Sequence, residues 1–207
     1  MNDRMNQEVL KKNFERHEFE TSFFETREQA VNYLQAQIKG RKVAFGGSVT
    51  LQEMGLFDAL SKENEVIWHW NEPGAQTLAR AREAQIHITS AHGASAPGAP
   101  AKTGELVNID GTGNRVAQTL YGPEKVYFVV GKNKIEKDLS SALSRARNVA
   151  APLNAKRLKT DTPCSKTGEK CFDCGSEARI CRATVILERP TRGMKAEIVF
   201  VNEALGY

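Results

Sequence analysis

The sequence predicts an α/β fold with a mostly parallel sheet. Three observations carry that prediction. Short apolar runs of strand type alternate with helical segments along most of the chain. Helix-start signals follow directly on strand ends. The 207 residues, 40% apolar and 26% charged, suffice to bury a core without disulfide staples.

The elements follow in order. Residues 8–17 read as a charged helix with Val9, Leu10 and Phe14 as a thin apolar stripe. Residues 19–24 are apolar-rich and fit strand or loop. Thr26-Arg27-Glu28-Gln29 is a capping box, in which the Thr hydroxyl accepts from the N3 amide and Gln reaches back. Val31, Leu34 and Ile38 then share a helical face, and Gly40 ends the helix. A strand at Lys42–Phe45 exits through Gly46-Gly47-Ser48. Thr50-Leu51-Gln52-Glu53 reads as a second capping box, opening a helix that turns Met54, Leu56, Phe57 and Leu60 to the core. Residues 65–70 read as strand, 75–84 as helix and 85–89 as strand. Residues 91–102, rich in Gly, Ala, Ser and Pro, read as a loop without core-forming side chains. A strand at 105–109 leads into Asp110-Gly111-Thr112-Gly113-Asn114-Arg115, and 116–120 continues as helix. The strand at 125–130 is the most apolar and ends in Gly131-Lys132-Asn133-Lys134. Residues 137–149 are helical, with Leu139, Leu143, Ala146 and Ala150 on roughly one side. Past a cysteine-bearing segment come two strand-like runs, 183–188 and 196–201. Arg189-Pro190-Thr191-Arg192-Gly193 separates them, so they are expected to pair as an antiparallel hairpin.

Composition removes several classes of function. A net charge of +4 is only mildly basic and implies no nucleic-acid partner. No stretch approaches the ~20 apolar residues of a membrane span. Residues 1–12 are polar and charged, with no apolar signal core, so the expected compartment is the cytoplasm. No Gly-x-Ser-x-Gly elbow points to a serine hydrolase. The histidines, His17, His69, His87 and His92, are scattered and read as structural or exposed.

Two features carry chemistry. The first is the set of three glycine-rich junctions at strand ends. In an open α/β sheet ligands bind beyond the carboxyl ends of the strands, where glycine lets backbone amides approach an anion. Gly46, Gly47, Ser48, Asn108, Asp110, Gly111, Gly113, Asn114, Arg115 and Lys132 are therefore expected to converge on one pocket for a small anionic ligand, with Lys134 adding charge. None of the junctions is a Walker loop or a Gly-x-Gly-x-x-Gly fingerprint, so neither ATP nor NAD is implied. Asp110 either contacts the ligand or hydrogen-bonds its own turn. Glu53 reads as the N3 residue of its capping box rather than as a base.

The second is Cys164-x6-Cys171-x2-Cys174-x6-Cys181, which holds every cysteine of the chain. A disulfide scaffold would spread its cysteines along a small secreted chain. Four thiols in one polar segment read as a metal ligand set. Zinc and iron–sulfur clusters both accept four thiolates, and the spacing does not choose between them. Lys166, Lys170, Arg179 and Arg182 flank the cysteines, either as a cationic rim for an acidic partner or as solvated loop charges.

Together these segments resemble the lactate-utilization (LUD) domain family. The resemblance rests on residues 46–56, 104–116, 121–126, 130–134, 150–155, the cysteine segment 163–181 and Asn202-Glu203-Ala204-Leu205-Gly206. It runs from about residue 7 to the end of the sequence. One departure lies at 92–100, where the family usually continues Asn-x-Ile-Thr and this chain has a longer Gly/Ala/Pro stretch. The resemblance implies a Rossmann-like sheet similar to the isomerase, CoA-transferase and methenyltetrahydrofolate-synthetase group. It divides the chain into an N-terminal helical segment, 1–25, and an α/β domain, 26–207, that includes the cysteine segment 163–182. It implies a component of a system oxidising L-lactate to pyruvate beside other subunits. Because that process moves electrons, an iron–sulfur cluster of the 4Fe–4S type is expected on Cys164, Cys171, Cys174 and Cys181. The alternatives are a small-molecule enzyme or sensor with structural zinc, and a scaffold subunit without chemistry of its own.

Overall fold

The computed structural model describes residues 6–96 and 104–207. Residues 97–100 of the glycine- and proline-rich stretch in which the sequence departs from the family pattern lie outside the described residues.

Helix α1 (Gln7–Arg16) is capped by Asn6 and leads to strand β1 (Glu20–Phe24). In α2 (Arg27–Gln37) both hydrogen bonds of the Thr26–Gln29 capping box form. Strand β2 (Lys42–Phe45) is followed by α3 (Val49–Glu53), α4 (Leu56–Leu60), β3 (Glu65–Trp68), α5 (Ala75–Ala81) and β4 (Ile86–Thr89). Next come β5 (Gly93–Ser95), β6 (Leu106–Asp110), α6 (Asn114–Ala117), β7 (Lys125–Gly131) and β8 (Ile135–Glu136). Helix α7 (Leu139–Arg145) runs through a π-helical turn at Ala146–Ala150 into α8 (Ala151–Leu158). The short α9 (Pro163–Thr167), the cysteine loop, β9 (Ala183–Leu187) and β10 (Lys195–Val201) complete the fold.

The main sheet is parallel throughout, in the order β1-β10-β7-β4-β2-β3. Its strands are apolar on both sides, as expected for a sheet covered on both faces. Tyr127 and Val129 of β7 enter one core with Leu34 of α2 and Ile38 at its C-terminus, while Val126, Phe128 and Val130 enter the other with Phe14 and Phe200. Phe14 and Phe19, from the N-terminal segment, are fully buried there, and β1 is the edge strand beside β10.

A second, four-stranded sheet has the order β8-β5-β6-β9. Leu106 faces the core of the main sheet, and Val107 and Ile109 face Ala142, Ala146 and Ala151 of the α7–α8 rod. This sheet corrects three expectations. The run 105–109 is not a strand of the parallel sheet; β6 pairs antiparallel with β5 and β9. Residues 93–95 are strand rather than loop, and Ala91 and Ala94 are fully buried. The expected C-terminal hairpin is absent, because β9 joins the second sheet while β10 inserts between β1 and β7. Thr184 and Ile186 on β9 are exposed, whereas β10 is buried from Ala196 to Val201, so the two runs belong in different environments. Among the described residues, no helix is long and apolar enough to cross a membrane.

Candidate functional site

A cavity of about 390 Å³ opens where the chain leaves the carboxyl ends of β2, β3, β4, β6 and β7. That is within the usual range for small-molecule sites. Its floor comes from Gly47–Thr50, Ser90, His92, Asp110–Thr112, Arg115 and Lys134, and one wall from Ala151, Asn154, Arg157 and Leu158 of α8. His69, Trp70, Ile109, Asn114, Ile180 and Tyr207 complete it.

Arg115 organises the floor. Its side chain is buried, and it donates from Nη1 to Asn108 Oδ1 (2.7 Å) and Ser90 O (3.2 Å), and from Nη2 to Ile109 O (2.7 Å). Its Nε lies 3.6 Å from Asp110 Oδ2. Asp110 caps its own turn, accepting from Thr112 N and Gly113 N on Oδ1 and from Val116 N on Oδ2. The turn therefore starts α6 at the point where Arg115 reaches back under the cavity. Gly46 is needed for this path, because a Cβ there would stand 2.6 Å from Arg115 Cγ.

Lys134 is 2% exposed and donates from Nζ to Thr50 Oγ1 (2.6 Å) and Ser90 Oγ (2.9 Å). Burial, then the positive charges of Arg145 and Arg115, pull its amine down to about 7. His92 accepts from Ile109 N on Nδ1 (3.0 Å), so the neutral ring carries its proton on Nε2, 3.4 Å from Arg115 Nη2. Burial and the same cations hold His92 well below the usual histidine range, so it stays neutral. At the mouth, the Arg157 guanidinium lies 4.3 Å over the Trp70 ring and donates to Asn154 Oδ1 and Tyr207 Oη. The cavity is thus lined by Arg115, Lys134 and Arg157 against one carboxylate, Asp110, a balance that suits an anion.

The cysteines lie on the far side of α8. All four are free and partly buried, and all four border one small pocket with Arg147, Ala151, Pro152, Ala155, Thr162, Arg179 and Ile180. Arg179 donates to the carbonyls of Cys174 (2.8 Å) and Cys181 (3.0 Å) and pairs with Asp173 (3.1 Å). Arg182 donates to the carbonyls of Arg179 and Glu177. These two arginines brace the loop. The donor set fits a thiolate-held centre: four unpaired cysteines around one pocket, steadied by an arginine. Among the described residues, no group of three or more His, Cys, Asp or Glu is arranged to hold a single metal ion.

Of the residues expected at the ligand face, Gly47, Ser48, Asp110, Gly111, Asn114 and Arg115 line the cavity. Gly46 and Asn108 stand behind it as partners of Arg115, and Gly113 stands in the capped turn. Lys132 is not part of the lining; Lys134, two residues on, is. Ser48, not Thr50, caps α3, accepting from Leu51 N (3.4 Å). This frees Thr50 to face the cavity, and Glu53 instead accepts from Gly206 N (2.7 Å), tying down the C-terminal segment. Two histidines read as structural, His69 and His92, are lining residues. Their signal was hidden, because each follows a strand end without a glycine turn. His87, in contrast, is buried in β4, where loss of hydration drops it to about 3.

A parallel sheet with ligand-type turns at its carboxyl edge, joined by a smaller sheet, defines this as a Rossmann-like α/β protein with a cation-lined cavity. The chain belongs to the LUD domain family, whose profile it matches over residues 7–201. It is similar in fold to a DUF162 family protein from Deinococcus radiodurans, at 12% identity and a TM-score of 0.54, covering 94% of each chain. No curated protein matches the sequence. The family is associated with lactate utilization.

Proposed function

We propose that this chain is a component of an L-lactate oxidation system, that its cavity holds a small carboxylate, and that Cys164, Cys171, Cys174 and Cys181 hold an iron–sulfur cluster beside it. One observation carries the reading: Ala151 and Ile180 line both the ligand cavity and the cysteine pocket. Two side chains thus separate the places where a substrate and a redox centre would sit. A cluster supplies a store for single electrons, which zinc does not. Four free cysteines that border one pocket supply the four thiolates such a cluster would need.

The chain's own residues bind and orient. Lys134 and the Nε2–H of His92 present donors to the cavity, Arg157 guards its mouth, and Arg115 fixes the floor. Arg179 holds the cysteine loop in shape through its carbonyls. Lys166 and Lys170, both exposed, offer charge to an acidic partner among the other subunits of a cytoplasmic complex.

Anaerobic purification tests the reading. About four iron and four sulfide per chain, with visible absorbance bleached by dithionite, is the expected result. About one zinc and no iron would make the cysteine segment a structural staple and remove the redox role.

A further inference from the structure

Lys134 is a buried cation without a counter-charge. Its Nζ meets only hydroxyls, Thr50 Oγ1 and Ser90 Oγ, and no carboxylate of the described residues lies within ion-pair distance of it. Both hydroxyls spend their own protons on carbonyls, Thr50 on Leu205 O (3.2 Å) and Ser90 on Ala91 O (3.3 Å). The ammonium has three donors, so one remains for the cavity it lines. The charged groups around it do not neutralise it. Arg115 and Arg145 are committed to their own acceptors and repel it. Glu53 attracts it from a distance, but its Oε2 is occupied by Gly206 N, and His92 is neutral. A buried ammonium kept without a partner costs several kcal/mol. An anion entering from the cavity supplies the missing charge.

We infer that Lys134, held by Thr50 and Ser90, is the subsite for the carboxylate of a small 2-hydroxy or 2-oxo acid, and that binding there takes up one proton. This rests on the reading of the cavity as a carboxylate site and adds where the anion lands and what it does to the amine. With the amine near 7, much of the free protein is uncharged at this position above neutrality. A carboxylate pairs with the ammonium, so each binding event above that pH draws a proton from solution. Below it the amine is already charged and no proton is taken up. Of the other titratable groups facing the cavity, burial holds His69 and His92 lower than an ordinary histidine and pushes the Tyr207 phenol up, so none of them takes up a proton just above neutral pH; Asp110 pairs with Arg115, and Arg157 is a permanent cation at the mouth.

Calorimetry with L-lactate, pyruvate and oxalate, from pH 6 to 9 in buffers of different ionisation heat, tests the inference. The expected result is up to one proton taken up per ligand at pH 8 to 8.5. Affinity should be flat below 7 and fall by up to about tenfold per pH unit above it. Lys134→Met should weaken binding about 10- to 100-fold and abolish the uptake. Lys134→Arg, protonated throughout, should bind without uptake or pH dependence. Binding without proton uptake by the unmodified protein overturns the inference and leaves the cavity a carboxylate site, and that measurement requires no variant. Undiminished binding by a folded Lys134→Met protein does the same. Failure of all three acids to bind overturns both readings.

Discussion

Replacing Lys134 by Met tests, through stability alone, whether the amine is as isolated as its surroundings indicate. In the unfolded chain a lysine titrates at its ordinary 10.5, and in the fold this one titrates at about 7. Between those values the unfolded chain holds a proton that the folded chain lacks, so the stability of the unmodified protein rises with pH across that window. The slope approaches 1.4 kcal/mol per pH unit, and the gap of about 3.5 units sets a ceiling of about 5 kcal/mol on the penalty, which is complete below pH 7. The Met variant lacks this titration. It also leaves two buried hydroxyls without their donor, a pH-independent cost of about 1–3 kcal/mol. The offset between the proteins therefore mixes effects of opposite sign, but its change with pH does not. Guanidinium unfolding at pH 6, 7, 8 and 9 should show Met gaining most relative to Lys at pH 6 and 7. That advantage should shrink by about 2–3 kcal/mol between pH 7 and 9. Two stability curves parallel from pH 6 to 9 would refute the argument.

Two further substitutions probe the frame. Arg115→Met strands Asn108 Oδ1, two carbonyls and the Asp110 carboxylate, and should cost about 3–5 kcal/mol in chemical unfolding. Gly111→Ala places a Cβ 2.8 Å from Ile180 O, so the cysteine loop must shift; it should cost about 1–3 kcal/mol and lower the iron retained after anaerobic reconstitution.

What the sequence made legible was local or periodic. The Thr26–Gln29 box lies within four residues and forms as read, and the apolar run at 125–130 becomes the buried strand β7. Ser48 and Thr50 illustrate the limit of such signals. Both are good caps two residues apart, and the choice fell to Ser48 because Thr50 packs against Ser90 and Leu205, from distant parts of the chain. The fate of β9 was hidden for a similar reason: β propensity marks a strand without naming its partner, and this one pairs with β6, more than seventy residues earlier. Lys134, the amine on which the ligand argument turns, looks in sequence like one of several lysines in a polar turn. Only the meeting of three chain segments buries it.

The cysteine segment is built into the ligand site at both ends, which argues against its being an appended staple. Its outgoing limb is fastened to Asp110: Arg182 N donates to Asp110 O (3.0 Å), and Ala183 pairs with Asp110 in the β6–β9 ladder. The side chain of the same Asp110 closes the turn that sends Arg115 beneath the cavity. The incoming limb leaves α8, whose Ala151, Asn154 and Arg157 form the cavity wall, and packs α9 against that helix. Ile180 lies between, touching both pockets. A folding staple could sit anywhere on the surface. Placing four thiols here makes the position of Ile180, and so the shape of the cavity, depend on whatever the thiols hold. The proposed electron carrier would need that proximity to its substrate.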